Sequence, residues 1–164
     1  MLLFLQCLIL CSLFTLLILP AQYRDPFSQF ASYPTKIRQR VYSLPQYKSS
    51  INKIEKKNWK RKILGSLLLT VLFAVISFYS GKRSFTTAFA HVFVLFSTVN
   101  LYDLIVLDLI IFCHSKKLMI PGTEDMIKDY RNPKHHIIGA LKGCLIGIFV
   151  ALLSAFFVVL IGLN

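Results

Sequence analysis

The sequence predicts an all-α integral membrane protein: an antiparallel bundle of four transmembrane helices, N-out/C-out, with short interfacial helices on the cytoplasmic side. Three observations carry that prediction. The 164 residues are 55% hydrophobic, with a mean hydropathy of +0.63. The apolar residues arrive in blocks, at 2–19, 63–80, 85–113 and 137–162, rather than alternating with polar ones. Of the 19 Lys and Arg residues, eleven lie in 24–62 and six in 116–142, with only Lys82 and Arg83 between the second and third blocks. A span needs about 20 apolar residues, with a working range of about 17–25. The positive-inside rule puts the two basic connections, 20–62 and 114–136, in the cytoplasm. All 164 residues then belong to one membrane domain, with no room for a separate soluble one.

The first block has Gln6 as its most polar member, no basic residue before it, and a poor cleavage context after it, LILPAQYRD. A secretory signal needs a basic start and a small-residue cleavage site, so this block is expected to stay as a helix. Next comes AQYRDPFSQFASYP, which mixes aromatic and polar residues with two prolines and reads as irregular interfacial chain. Tyr33, Tyr42, Tyr47 and Trp59 suit the headgroup level, where an amphipathic ring keeps both apolar and hydrogen-bonding contacts. TKIRQRVYSL predicts a short helix before Pro45, and SSINKIEKKNWKRKIL a basic helix running into the second span. Each cation near the surface gains about 1 kcal/mol from anionic headgroups, so the +12 charge points to lipid. No nucleic acid partner is expected, because the basic run is tied to the membrane and lacks a recognition module.

Ser80-Gly81-Lys82-Arg83-Ser84 is a tight turn that makes the second and third spans antiparallel neighbours. The second basic connection contains Pro121-Gly122, read as a turn, then Thr123 as an N-cap with Glu124 and Asp125 in the first helical turn. Asn132-Pro133 repeats that logic and starts the fourth helix near Pro133. In that helix Gly139, Gly143, Gly147, Ala151 and Ala155 recur every four positions. Such a small-residue seam lets another helix approach closely, whether within the chain, in a second copy or in a partner membrane protein. Cys7, Cys11, Cys113 and Cys144 sit in apolar blocks without a short-spaced pair, and are expected as buried free thiols.

The third block, FTTAFAHVFVLFSTVNLYDLIVLDLIIFC, carries Asn100, Asp103 and Asp108, with His114 at its end. A charged carboxylate in hydrocarbon costs at least about 2.5–3.5 kcal/mol, so it needs a partner, a proton or a water-lined path. At 100° per residue Ser97, Asn100, Asp103, Asp108 and His114 share one half of the helix, and His91 faces away from Asn100. Leu101, Ile105, Leu109 and Phe112 take much of the lipid side. Counting from the cytoplasmic end, Asp108 lies about 7–8 Å and Asp103 about 15 Å deep. The same count places Lys142 opposite Asp108, and Gly147 opposite Asp103. Asn100, Asp103, Asp108 and Lys142 thus form the expected intramembrane polar site.

Three functions suit these residues. The first is a transporter, or a subunit of a transport complex, with Asp103 changing protonation or meeting a cation. The second is a membrane-embedded enzyme acting on a lipid or anionic headgroup at the cytoplasmic face, with His114, His135 and Asp108 as its catalytic groups. The third is an architectural network, Asp108 paired with Lys142 and Asp103 hydrogen-bonded to Asn100 or a neighbouring hydroxyl. No HExxH, GxSxG or phosphate-binding loop assigns a metal or cofactor. The expected location is the cell membrane.

Overall fold

The computed structural model describes residues 1–162, and the side chains of residues 1–47 and 63–162. The fold is all-α. Helix α1, Leu2–Arg24, runs through Pro20 and five residues beyond the expected end of the first block. A 3-10 turn at Pro26–Ser32 and helix α2, Thr35–Ser43, lead through a second 3-10 turn to α3, Lys48–Tyr79. Helix α4, Phe85–Tyr102, passes without a break into a π-helical segment, Asp103–Ile111, and a closing 3-10 turn, Phe112–His114. After short turns and the one-turn helix α5, Ile127–Tyr130, the chain ends in α6, Lys134–Gly162.

Three of these helices are long and apolar enough to cross a membrane: Leu2–Arg24, Phe85–His114 and Lys134–Gly162. The expected second span corresponds to the shorter apolar part of α3, Ile63–Tyr79. Polar side chains give the register of the bundle. Gln6 Nε2 donates to Ser80 Oγ at 2.8 Å, and the Thr15 and Tyr102 hydroxyls meet at 2.7 Å, so α1 runs parallel to α4. Ser154 Oγ donates to the Thr70 carbonyl at 2.9 Å, setting α6 parallel to α3. The turn at Gly81 (φ 76°) reverses α3 into α4, with Lys82 N–H reaching back to the Ser77 carbonyl. Helix α4 is central: it contacts α1, α3 and α6, and packs chiefly on α6.

The small-residue seam makes that packing close. A Cβ added at Gly143 would collide with the Asn100 side chain, and one at Gly147 would lie 2.5 Å from Phe96 Cδ1. Ala151 and Ala155 are fully buried further along, the first beside Val92 and Leu95, the second beside Ala88. Gly139 has nothing within 4 Å of where its Cβ would sit. Within this chain, then, the partner of the seam at Gly143 and Gly147 is α4.

The start of the first basic connection, expected as irregular chain, is instead a 3-10 turn, and the two basic connections pack together. Phe30, Tyr33, Ile37 and Val41 from the first pack with Phe112, Cys113, Leu118, Ile120 and Tyr130 from the end of the third apolar block and the second connection. This forms a second core at the basic end, and each apolar side chain removed from water there gains about 1.5–3 kcal/mol. Tyr33 is fully buried, and its hydroxyl donates to the Leu118 carbonyl at 2.8 Å. Phe112, expected to meet lipid, is buried against the Tyr33 ring, with centroids 4.9 Å apart. Tyr42 is 39% exposed, while the expected basic face of 51–60, with Trp59, lies outside the described side chains.

Local signals in the second connection are partly realised. Gly122 takes the positive φ of 88° expected for a Pro-Gly turn, and its N–H donates to Glu124 at 2.8 Å. Backbone N–H groups of Glu124 itself and of Gly122 hold that carboxyl below its ordinary range. Thr123 is not the expected cap: its hydroxyl donates to the Ile120 carbonyl at 2.7 Å and meets the Tyr130 hydroxyl at 2.8 Å. Asn132 does cap α6, accepting from Lys134 N–H at 3.0 Å.

Candidate functional site

The π-helical segment begins at Asp103 and contains both carboxylates of the third block. An i→i+5 hydrogen-bonded ladder winds more widely than an α-helix, in which positions five apart point about 140° from one another. The wider winding reduces the angle between positions five apart, such as Asp103 and Asp108. Stretches of this kind are rare and recur at functional sites.

Asp108 finds its partner on α6, but at a different residue from the one expected. Its Oδ2 lies 3.0 Å from Nδ1 of His136, with the imidazole side chain 2% exposed and the carboxylate 25%. Lys142 is exposed and makes no ion pair among the described residues. The His136 ring packs on Phe112 with centroids 5.0 Å apart, and its Nε2 is buried without a hydrogen bond among the described residues. Asn132 and Pro133 place His136 in the first turn of α6, which positions the ring over the end of the third block.

The same register accounts for Asn100. Its Nδ2 donates to the Ala140 carbonyl at 3.0 Å, across the gap that Gly143 leaves open. Gly147 therefore faces Phe96, not Asp103. The pairs 108–136, 100–143 and 96–147 all belong to one antiparallel register, shifted six or seven residues from the expected one. At 1.5 Å per residue that is about 10 Å along the helix axis.

Asp103 has no hydrogen bond or ion pair among the described residues, so the expected bond to Asn100 or a neighbouring hydroxyl is absent there. It lines a cleft of about 300 Å³ enclosed by α1, α3 and α4. Nine of the eleven lining side chains are purely apolar, and the other two are Asn100 and Asp103. The deeper carboxylate therefore faces carbon.

The three groups expected to act as catalytic residues do not converge. Asp108 is with His136. His114 is exposed, and its Nδ1 lies 3.0 Å from the Leu109 carbonyl and 3.2 Å from that of Ile110, on its own helix end. His135 lines a separate groove of about 210 Å³ with Lys36, Asp129, Asn132 and Lys134. Lys36 and Asp129 are paired there at 3.3 Å. No three His, Cys, Asp or Glu side chains among the described residues come together as a metal site. The four cysteines are free; Cys11 and Cys113 are buried, whereas Cys144 is exposed on α6 and Cys7 is intermediate.

A second polar cluster, at the far end of the bundle, escaped the sequence reading. His91 Nε2 lies 3.0 Å from Gln6 Oε1, and the same Gln6 donates to Ser80. His91 Nδ1 is buried without a partner among the described residues. The available signal was the pair of solitary polar residues, Gln6 and His91, each near the start of an apolar block. Compared with known proteins, the chain matches no family model, no curated protein and no solved structure.

Proposed function

We propose that this protein is a small transporter, or a subunit of a membrane transport complex, in which Asp103 carries a proton or meets a cation. The observation behind it is Asp103 itself: a carboxylate within a long apolar helix, facing an apolar cleft, with no partner among the described residues. An acid at such a position is rare, costly, and suited to an ion or proton path. Asp108 and His136, nearer the basic end, offer a second acid and a base that a proton leaving Asp103 would meet.

The proposal places the protein in the cell membrane as a four-span bundle. The apolar part of α3 is short, and what supports counting it as a span is its contact with α6, where Ser154 Oγ donates to the Thr70 carbonyl. The positive-inside rule then orients the basic core toward the cytoplasm and both termini outward, with anionic headgroups around the basic connections. Four helices are few for a transporter, so assembly with a second copy or another membrane protein belongs to this reading.

The test is proton flux in proteoliposomes under an imposed membrane potential, followed with an internal pH dye. The protein should pass protons faster than empty liposomes, Asp103→Asn should lower that flux at least tenfold, and Lys142→Gln should leave it unchanged. Flux equal to empty liposomes, from protein shown to be folded, overturns the reading. Headgroup chemistry at the cytoplasmic face is supported by the groove at Lys36, Lys134 and His135. Of the three expected catalytic residues only His135 lines that groove, so transport is the better supported function.

A further inference from the structure

We infer that the cleft at Asp103 binds a lipophilic amine or similar long-chain cation, with its charged head on the Asp103 carboxylate and its carbon chain along α1 and α3. This rests on the transport reading for its role, and names the class of cargo for the same site.

The shape and lining of the cleft carry the inference. Ligand sites are mostly apolar cavities of about 300–1,000 Å³ in which a few polar groups fix orientation. This cleft holds about 300 Å³, and its polar groups lie together on the α4 side, at Asn100 and Asp103. Asn100 Nδ2 is already engaged, donating to the Ala140 carbonyl, and its Oδ1 lies against Gly143 on the α6 side. Asp103 is left as the group with capacity for a ligand. A plain acyl chain would fill the carbon walls and leave the carboxylate without a partner. A fatty acid would set a second carboxyl against the first. An ammonium group supplies both a counter-charge and hydrogen-bond donors, and a charge-assisted bond of that kind is among the stronger ones.

The way in is also on the page. Leu13, Leu17 and Leu72 line the cleft, and they are 50%, 72% and 45% exposed on the outer surface of the bundle. The cleft therefore opens sideways, through side chains that face hydrocarbon once the protein is in a bilayer. An amphiphilic cation dissolved in the membrane reaches Asp103 by that route without crossing the bundle.

The test is the thermal unfolding midpoint of the purified full chain in neutral detergent, titrated with decylamine, decanol and decanoate. A ligand that binds the folded state raises the midpoint in step with its concentration over Kd. Decylamine should raise it at concentrations at least tenfold below those at which decanol or decanoate has any effect. Asp103→Asn should abolish the difference, and Lys142→Gln, at an exposed position with no ion pair among the described residues, should retain it. Leu13→Trp fills the cleft from a half-exposed position and keeps the proposal testable if the Asp103 variant does not fold; it should also abolish the amine response. Equal responses to all three compounds, or an amine response that survives both Asp103→Asn and Leu13→Trp, overturn the inference. Proton flux without amine binding overturns it while leaving the transport reading standing. Amine binding without flux does the reverse.

Discussion

His136 and Asp108 are held together at 3.0 Å with the imidazole almost fully enclosed, so removing either leaves the other without its hydrogen bond. A bond to a charged group contributes about 1.5–3 kcal/mol, and the 25% exposure of Asp108 places this pair toward the lower figure. His136→Ala should therefore lower stability by about 1–2 kcal/mol, read as a drop in the unfolding midpoint in detergent. The double variant His136→Leu/Asp108→Leu should recover most of that loss, because apolar replacement of both members removes the desolvation cost as well. Asp103 makes a different prediction. A hydrophobic carbodiimide partitions into apolar phases, so it should reach and label Asp103 in its apolar cleft and spare Asp108, which is paired with His136, as read by peptide mass spectrometry. Labelling of Asp108 instead would contradict the cleft geometry. Both acids were visible in the sequence as anomalies, but the partner of Asp108 was not. The expected partner, Lys142, assumed that the third and fourth apolar helices enter hydrocarbon at one level. Close packing of Gly143 on Asn100 and of Gly147 on Phe96 holds α6 about 10 Å from that register, with a histidine at the position instead.

Among the elements, the α4–α6 contact makes the sharpest distinction between glycines of one four-residue repeat. Gly147→Ala should cost about 1–3 kcal/mol, since the new methyl meets the Phe96 ring at 2.5 Å and overpacking is relieved only by movement. Gly139→Ala meets nothing within 4 Å and should be neutral, or stabilising by up to about 1 kcal/mol from helix propensity. Unfolding midpoints of the two variants side by side give the comparison. The basic-end core has its own signature in pH. Burial pushes the Tyr33 phenol well above its ordinary 10.0, and burial raises that of Tyr130 as well. The fold thus favours the neutral phenols, so their contribution is intact below about pH 10 and falls as pH rises above it, where the unfolded chain ionises first. Stability of the parent should decline above about pH 10 more steeply than that of Tyr33→Phe, with tyrosinate absorbance as the readout. The π-helical segment belongs at this scale too. DLIVLDLII contains neither Gly nor Pro, so nothing local announces a change of winding.

For the molecule as a whole, the proposed orientation makes a prediction in sealed vesicles. Lys82→Cys and Lys117→Cys both place a thiol at an exposed position, one in the α3–α4 turn and one in the basic connection. A membrane-impermeant maleimide should label Lys82→Cys in right-side-out vesicles, and Lys117→Cys only in inverted ones. Labelling of both from one side would mean that residues 85–114 do not cross. The parent protein, whose four cysteines lie in the long apolar helices, serves as the background control.

Hydrophobic length, turn chemistry and charge asymmetry act locally, and they were sufficient to predict an all-α chain of apolar helices, the Gly81 reversal, the Asn132 cap and a seam that packs on another helix. Each depends on a few consecutive residues or one helical repeat. The tertiary structure decided what depends on two distant segments at once. It set the register of α4 on α6, the pairing of Asp108 with His136, the Gln6–His91 contact, and the core that the two basic connections make together. Register is a sum over many side-chain contacts, so a shift of one or two turns changes every partner while leaving the hydrophobic pattern of each helix intact. That is why the carboxylates could be found from the sequence, and why the tertiary structure was needed to separate Asp108, paired at the helix end, from Asp103, facing the cleft.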